Sequence, residues 1–221
     1  MTKIHVILVD HDSVRAIKMT VIVKRLAHQM RRTSLIWPQK SREVSLAGID
    51  ESKPFVSINI AVLTVSDTRT AANDTSGDVL VSRIEENGHR VFDRKILPDD
   101  QGALRDQLAN WCENPEIDVI ITTGGTGVTG RDVTVEAHRA LYEKEIPGFG
   151  ELFRWISFQK IGTSTVQSRA TAGVCKGTYM FALPGSTGAC KDAWDEILTY
   201  QLDIRHRPCN FVELMPRLTE R

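Results

Sequence analysis

Short aliphatic runs alternate along the chain with longer segments in which apolar residues recur every three or four positions. Ile58–Val65, 117–122 and Gly177–Leu183 are too brief for lone helices and carry the β-branched and aromatic residues of strands, and Arg90–Leu97 reads as another strand ended by Pro98. Between them lie helical stripes. Leu80, Val81 and Ile84 follow a polar loop in which Asp74 or Thr75 is placed to cap, and Asn87-Gly88 stops that helix. Leu104, Leu108 and Trp111 stand at i, i+4 and i+7. Val133, Ala137, Ala140 and Leu141 predict a third helix that Pro147-Gly148 interrupts, and Phe149, Leu152, Phe153 and Ile156 a fourth. Cys190, Trp194, Ile197 and Leu198 predict a last long one. Strands separated by helices imply a parallel sheet. Residues 161–169 read as a turn with a short helix or strand near a ligand.

The third strand runs directly into Thr123-Gly-Gly-Thr-Gly-Val-Thr-Gly-Arg-Asp132. Glycine permits positive φ and lets backbone N–H groups approach a ligand, so Gly124, Gly125 and Gly127 suit a phosphate, with Thr123 and Thr126 adding hydroxyls. Gly130 brings the loop to four glycines within seven residues, more than an ordinary strand-to-helix turn requires. A carboxylate beside a phosphate is repulsive unless a cation lies between them. Asp132 therefore predicts a phosphorylated ligand with a divalent metal.

In a parallel α/β sheet the strands' carboxyl ends share one rim, so the loops at 66–77, 98–100, 123–132 and 184–188 are expected to converge. Asp67, Asp74 and Ser76 suit a polar heterocycle or ribose, and Asp99 a metal ion or a proton. Either Asp99 or Asp132 has a plain alternative beside it, since Asp99 can cap the next helix and Thr134 can cap the one after. Lys95 and Arg131 are placed to neutralise phosphate or to face solvent, while His89, His138 and His206 have no ligand spacing. Three rival motifs fail. Gly125-x-Gly127-x-x-Gly130 lies in the third βα unit with no acid-ended strand following; no P-loop lysine is present; and Arg131 and Asp132 stand where a kinase loop has valine.

Charge divides the chain. Residues 1–46 hold nine Lys/Arg against three acids, leaving 19 basic against 25 acidic of the chain's 28 and 28 for the remainder, which has no broad claim on nucleic acid. Residues 1–46 are expected to be an accessory basic extension, or sequence upstream of the natural start, and 47–221 the main domain. Four scattered cysteines read as reduced thiols. Without a membrane-length apolar run or a cleavable leader, the expected compartment is the cytoplasm.

Thr122–Thr134, Thr64-Val-Ser-Asp-Thr-Arg69, Asp74-Thr-Ser-Gly77, Pro147-Gly-Phe-Gly-Glu-Leu-Phe153 and Leu183-Pro-Gly-Ser186 together resemble the molybdenum cofactor biosynthesis proteins of the MoaB/MogA type. Ile161–Arg169 and Arg207-Pro-Cys-Asn-Phe211 lean toward the MoaB branch. The resemblance implies a three-layer α/β sandwich with a mostly parallel central sheet, assembled as homotrimers or homohexamers. It implies ATP and Mg²⁺ as co-substrate and metal, and molybdopterin as the substrate to be adenylylated. The two aspartates of active members fall on Asp99 and Asp132 as catalytic metal ligands. From the loops themselves, Ser66, Asp67, Asp74, Ser76, Gly124, Gly125, Thr126, Gly127, Pro184, Gly185 and Ser186 are the candidate residues for holding substrate or nucleotide. The expected partners are small-molecule substrates, with other proteins of the pathway as candidates and no nucleic acid or membrane. A second reading is a non-catalytic oligomer that stores or hands on the pterin.

Overall fold

The structure is a computed structural model that describes residues 48–220, so the expectations for residues 1–46 lie outside it. The strands are β1 (Asn59–Val65), β2 (Arg90–Leu97), β3 (Val119–Thr123), β4 (Lys144–Glu145), β5 (Thr171–Cys175) and β6 (Thr178–Leu183). They form one sheet of order β2-β1-β3-β6-β5-β4. β1 pairs in parallel with β2 and β3, and β3 with β6. The β4–β5 and β5–β6 pairs are antiparallel, so the sheet is mostly parallel with an antiparallel flank.

Alternation along the strands sends side chains to two helical layers. Ile60, Val62, Val119, Ile121, Phe181 and Leu183 meet α1 (Thr75–Glu86), α4 (Pro147–Ile161) and α5 (Thr187–Ala193) on one face. Ala61, Leu63, Val65, Ile120 and Met180 meet α2 (Gln101–Cys112) and α3 (Thr134–Arg139) on the other. The stripes at 80/84 and 104/108/111 are buried as their spacing requires.

Two helical expectations change. The third helix ends at Arg139, before Pro147, and that proline begins α4. A proline at the first helical position loses no hydrogen bond, because that N–H has no helical acceptor in any case. The last helix is not uniform: α5 passes through a π-helical turn, Trp194–Leu198, into α6 (Thr199–Gln201). Residues Gly162–Gln167 form a 3₁₀ turn, and α7 (Phe211–Leu214) follows near the carboxyl end. Among the described residues no helix is long and apolar enough to cross a membrane.

Candidate functional site

Chain order places β2 and β3 on opposite sides of β1, and the crevice at such a reversal is where parallel sheets bind ligands. A cleft of about 500 Å³ opens there, between the loops that leave β1, β3 and β6. Ser66, Arg69, Gly124 to Gly127, Asp132 and Pro184 to Ser186 line it. The β3 and β6 loops touch backbone to backbone: a Cβ at Gly185 would stand 3.1 Å from the Gly124 Cα. Ser186 begins α5, its hydroxyl accepting from the Ala189 N–H at 3.2 Å.

Donors in the glycine loop are divided in a way that composition alone does not reveal. The Gly124 N–H extends the sheet by donating to the Leu183 carbonyl at 3.0 Å, and Thr123 donates its hydroxyl to the Pro184 carbonyl at 3.0 Å. Neither is free for a ligand, which corrects the wider cradle expected of Thr123 through Gly127. Gly125 has φ +62°, and its N–H and that of Thr126 donate to no acceptor among the described residues.

Two carboxylates flank these glycines. A Cβ on Gly125 would lie 2.7 Å from Asp99 Oδ1, and one on Gly127 would lie 2.8 Å from Asp132 Oδ2. Asp99 is not the helix cap. Asp100 is, accepting from the Ala103 N–H at 2.8 Å, and the Asp99 carboxylate accepts no hydrogen bond among the described residues. Nor does Thr134 cap α3, because its hydroxyl donates to the Gly124 carbonyl at 2.8 Å. Burial pushes the Asp99 pKa up, the charges of Asp67 and Asp132 push it further, and Arg131 opposes them. Burial also acts upward on Asp132, but hydrogen bonds from the Thr129 hydroxyl and N–H and from the Gly127 N–H, with the Arg169 charge, hold it below the ordinary range. Asp67 is paired with Arg131. Among the described residues no three His, Cys, Asp or Glu side chains are grouped to hold a metal by themselves. Two carboxylates are nevertheless enough for Mg²⁺ where substrate phosphates complete the shell.

Asp74 and Ser76 lie beneath the cleft, both fully buried, so the contact with a heterocycle or ribose expected of them does not fit. Asp74 caps α1 through the Gly77 N–H at 3.0 Å, accepts from Thr64 at 2.7 Å, and pairs with Arg94 at 2.8 Å and Arg69 at 3.3 Å. Ser76 donates to the Gly185 carbonyl at 2.8 Å. These two residues hold the loops that form the walls. Burial raises the Asp74 pKa, but Arg94, Thr64 and the Gly77 N–H outweigh it and the net shift is downward. A depressed carboxylate adds stability above its unfolded value of roughly 3.9 and loses it as pH falls through the folded value. Asp74→Ala is therefore expected to cost about 3 kcal/mol at pH 7 in urea unfolding, by removing a cap and leaving two arginines without their anion. That difference should shrink as pH falls through the depressed folded value, where the wild-type carboxylate itself takes up a proton.

The opposite wall is Phe153, Ser157 and Ile161 of α4 with Ser164, Thr165 and Gln167 of the 3₁₀ turn, which puts the 161–169 stretch beside the cleft as its polarity predicts. Arg69 is a further residue of the cleft, beyond the candidates its sequence motif suggests. It reaches from the β1 loop to the Gly185 carbonyl at 2.9 Å, leaving a cation part-exposed in the cleft. Its only sequence signal is its place in the polar loop after a buried strand. His138 is no ligand: it is buried on Thr122 at 2.8 Å, with burial lowering its pKa to about 3.

The family described as "Probable molybdopterin binding domain" matches residues 61–204. Molybdenum cofactor biosynthesis protein B of Escherichia coli (strain K12) is 48% identical over 160 residues, spanning 72% of this chain and 94% of that protein. The protein of the same name from Bacillus subtilis (strain 168) is 42% identical over 146 residues, 66% of this chain and 86% of that one. Among solved structures, a molybdenum cofactor biosynthesis protein B superposes with a TM-score of 0.66 at 40% identity, over 68% of this chain and 94% of the other. The tungsten cofactor synthesizing protein MoaB from Pyrococcus furiosus does so at 0.59 and 35%, over 66% and 93%. With its sheet order, its glycine loop and these relatives in agreement, the chain belongs to the molybdopterin-binding family of molybdenum cofactor biosynthesis proteins, on the MoaB branch.

Proposed function

We propose that this protein is a molybdopterin adenylyltransferase, joining the terminal phosphate of molybdopterin to the α-phosphate of ATP with release of pyrophosphate. The observation that carries the reading is that Asp99 lies against Gly125 and Asp132 against Gly127 of one loop, with Asp132 and both glycines lining the cleft. Two like charges so placed raise one another's cost of ionisation, and a divalent cation relieves it. Their hard oxygen donors fit Mg²⁺, which when bound supplies positive charge to phosphate oxygens.

The chain's own residues bind and orient. The Gly125 and Thr126 amides, which donate to no acceptor among the described residues, are available to a phosphate oxygen, and Arg69 adds a cation from the β1 loop. Gly185 and Ser186 form the adjoining wall on the pterin or phosphate side. The hydroxyls and the Phe153 and Ile161 side chains opposite suit a flat, polar heterocycle, and about 500 Å³ is in the range of small-molecule sites. Phosphoryl chemistry of this kind asks the protein for positioning and charge rather than covalent work. The reading includes a homo-oligomer, trimer or hexamer, for which exposed Leu152, Trp155 and Phe158 on α4 supply an apolar surface.

Incubating the protein with molybdopterin, ATP and Mg²⁺ is expected to yield adenylyl-molybdopterin and pyrophosphate in equal amounts, and excess chelator to stop both. Tight pterin binding with no ATP consumed would replace the enzyme by a carrier.

A further inference from the structure

The loop that carries Asp132 has little packing of its own. From Val128 to Arg131 it is exposed, between the cleft and a second concavity of about 410 Å³ bordered by Val128, Asp132, Glu136 and Arg169. Its internal bonds are few: the Asp132 N–H donates to the Thr129 carbonyl at 3.1 Å, and Asp132 Oδ2 accepts from the Thr129 N–H at 2.8 Å and hydroxyl at 2.6 Å. A segment with solvent-facing bonds and no apolar anchor opens easily.

Arg169, just before β5, reaches across it. Its Nε donates to the Gly127 carbonyl at 2.6 Å and its Nη2 to the Asp132 carbonyl at 2.8 Å. The same guanidinium pairs with both Glu136 oxygens in the first turn of α3, Nη2 to Oε2 at 3.2 Å and Nη1 to Oε1 closer. Its own N–H donates to the Thr126 carbonyl at 3.2 Å. One planar group thus grips both ends of the loop and ties them to a helix. Nε, one Nη1 and both Nη2 donors are engaged, so the group is nearly spent as a direct phosphate ligand. Lysine, with one compact ammonium, cannot span these acceptors.

We infer that Arg169 is a positioning residue for adenylyl transfer, its guanidinium fixing the 127–132 loop so that the Asp132 carboxylate is presented at the same rim as Asp99. The inference rests on the function proposed above. It acts through the loop backbone and touches no reacting atom.

The test compares full-length Arg169→Lys and Arg169→Gln with the wild type. Amide hydrogen exchange at Thr129 and Asp132 is expected to accelerate about tenfold or more in both, while β3 and β6 amides keep their protection. In turnover, kcat should fall about 10- to 100-fold in Arg169→Gln with the molybdopterin KM within about twofold, and half-maximal rate should need more Mg²⁺. Wild-type exchange in the loop of both variants overturns the clamp. Faster exchange spread evenly over the sheet overturns it too, because Arg169 would then be a general structural residue. Should the wild type make no adenylyl-molybdopterin, the functional reading fails alone, and loop exchange still decides whether the clamp exists.

Discussion

Gly124→Ala is expected to lower the unfolding free energy by about 4 kcal/mol and to empty the cleft of pterin binding with it. Two independent costs meet at this position. Its φ is +105°, beyond the left-handed region that other residues visit at a modest cost. A Cβ would also stand 2.2 Å from the Val65 carbonyl oxygen, a backbone atom at the end of β1. Relief by rotation is blocked, since the Gly124 N–H is held by the Leu183 carbonyl at 3.0 Å and its own carbonyl by the Thr134 hydroxyl at 2.8 Å. Something in the β1–β3–β6 rim must part. Gly130→Ala is the matched control: nothing lies within 4 Å of its added Cβ and its φ is not positive, so its effect should stay within about 0.5 kcal/mol. Urea midpoints for the two variants check this directly. A Gly124→Ala protein as stable as Gly130→Ala would mean that the loop does not have the backbone described.

That contrast marks how far the sequence could be read. A cluster of glycines after a buried strand announced an anion loop, yet Gly130 has no steric need for glycine while Gly124 has two. Composition cannot separate them, because the requirement at Gly124 comes from β1 and β6, remote in sequence. β1, β3 and β6 are legible as aliphatic runs with a local turn after each, and the mixed segment Arg90–Leu97 is bounded to the residue by Gly88 before it and Pro98 after it. β4 and β5 are not. Lys144-Glu145 is a strand only by pairing with Gly173 and Val174, and Thr171–Cys175 is buried by its neighbours rather than by long apolar side chains. The same division holds in the site. Asp74 as a cap was readable from its place before a helical stripe, whereas its burial under Arg69 and Arg94 was not. Asp99 and Asp100 are adjacent acids before one helix, and backbone direction alone decides that Asp100 caps and Asp99 is left facing the loop. Arg169 acts on residues 33 to 42 positions away, a reach that only the fold supplies.

Asp99→Asn and Asp132→Asn are each expected to cut the formation of adenylyl-molybdopterin by about 10³-fold, while moving stability in opposite directions. Both amides fill the same volume as the carboxylates, so folding is not at stake; what they remove is negative charge at the proposed Mg²⁺ site. For Asp99 the charge is unfavourable in the resting protein, being partly buried, unbonded and near Asp67 and Asp132. A carboxyl with a raised folded pKa binds more protons folded than unfolded, so its contribution to stability falls as pH rises through that interval. Asp99→Asn is released from that penalty and should melt above the wild type at pH 7, with the gap closing toward pH 4. Asp132 is the reverse case, held below its ordinary range by Thr129, Gly127 and Arg169. Asp132→Asn should melt below the wild type at pH 7, with that gap also closing in acid. Thermal melts at several pH values and a turnover assay on the same preparations separate the two properties. A stabilised Asp99→Asn that has lost turnover identifies a carboxylate kept for chemistry at the expense of the fold. Wild-type turnover in either variant would remove the shared metal site as the basis of the chemistry.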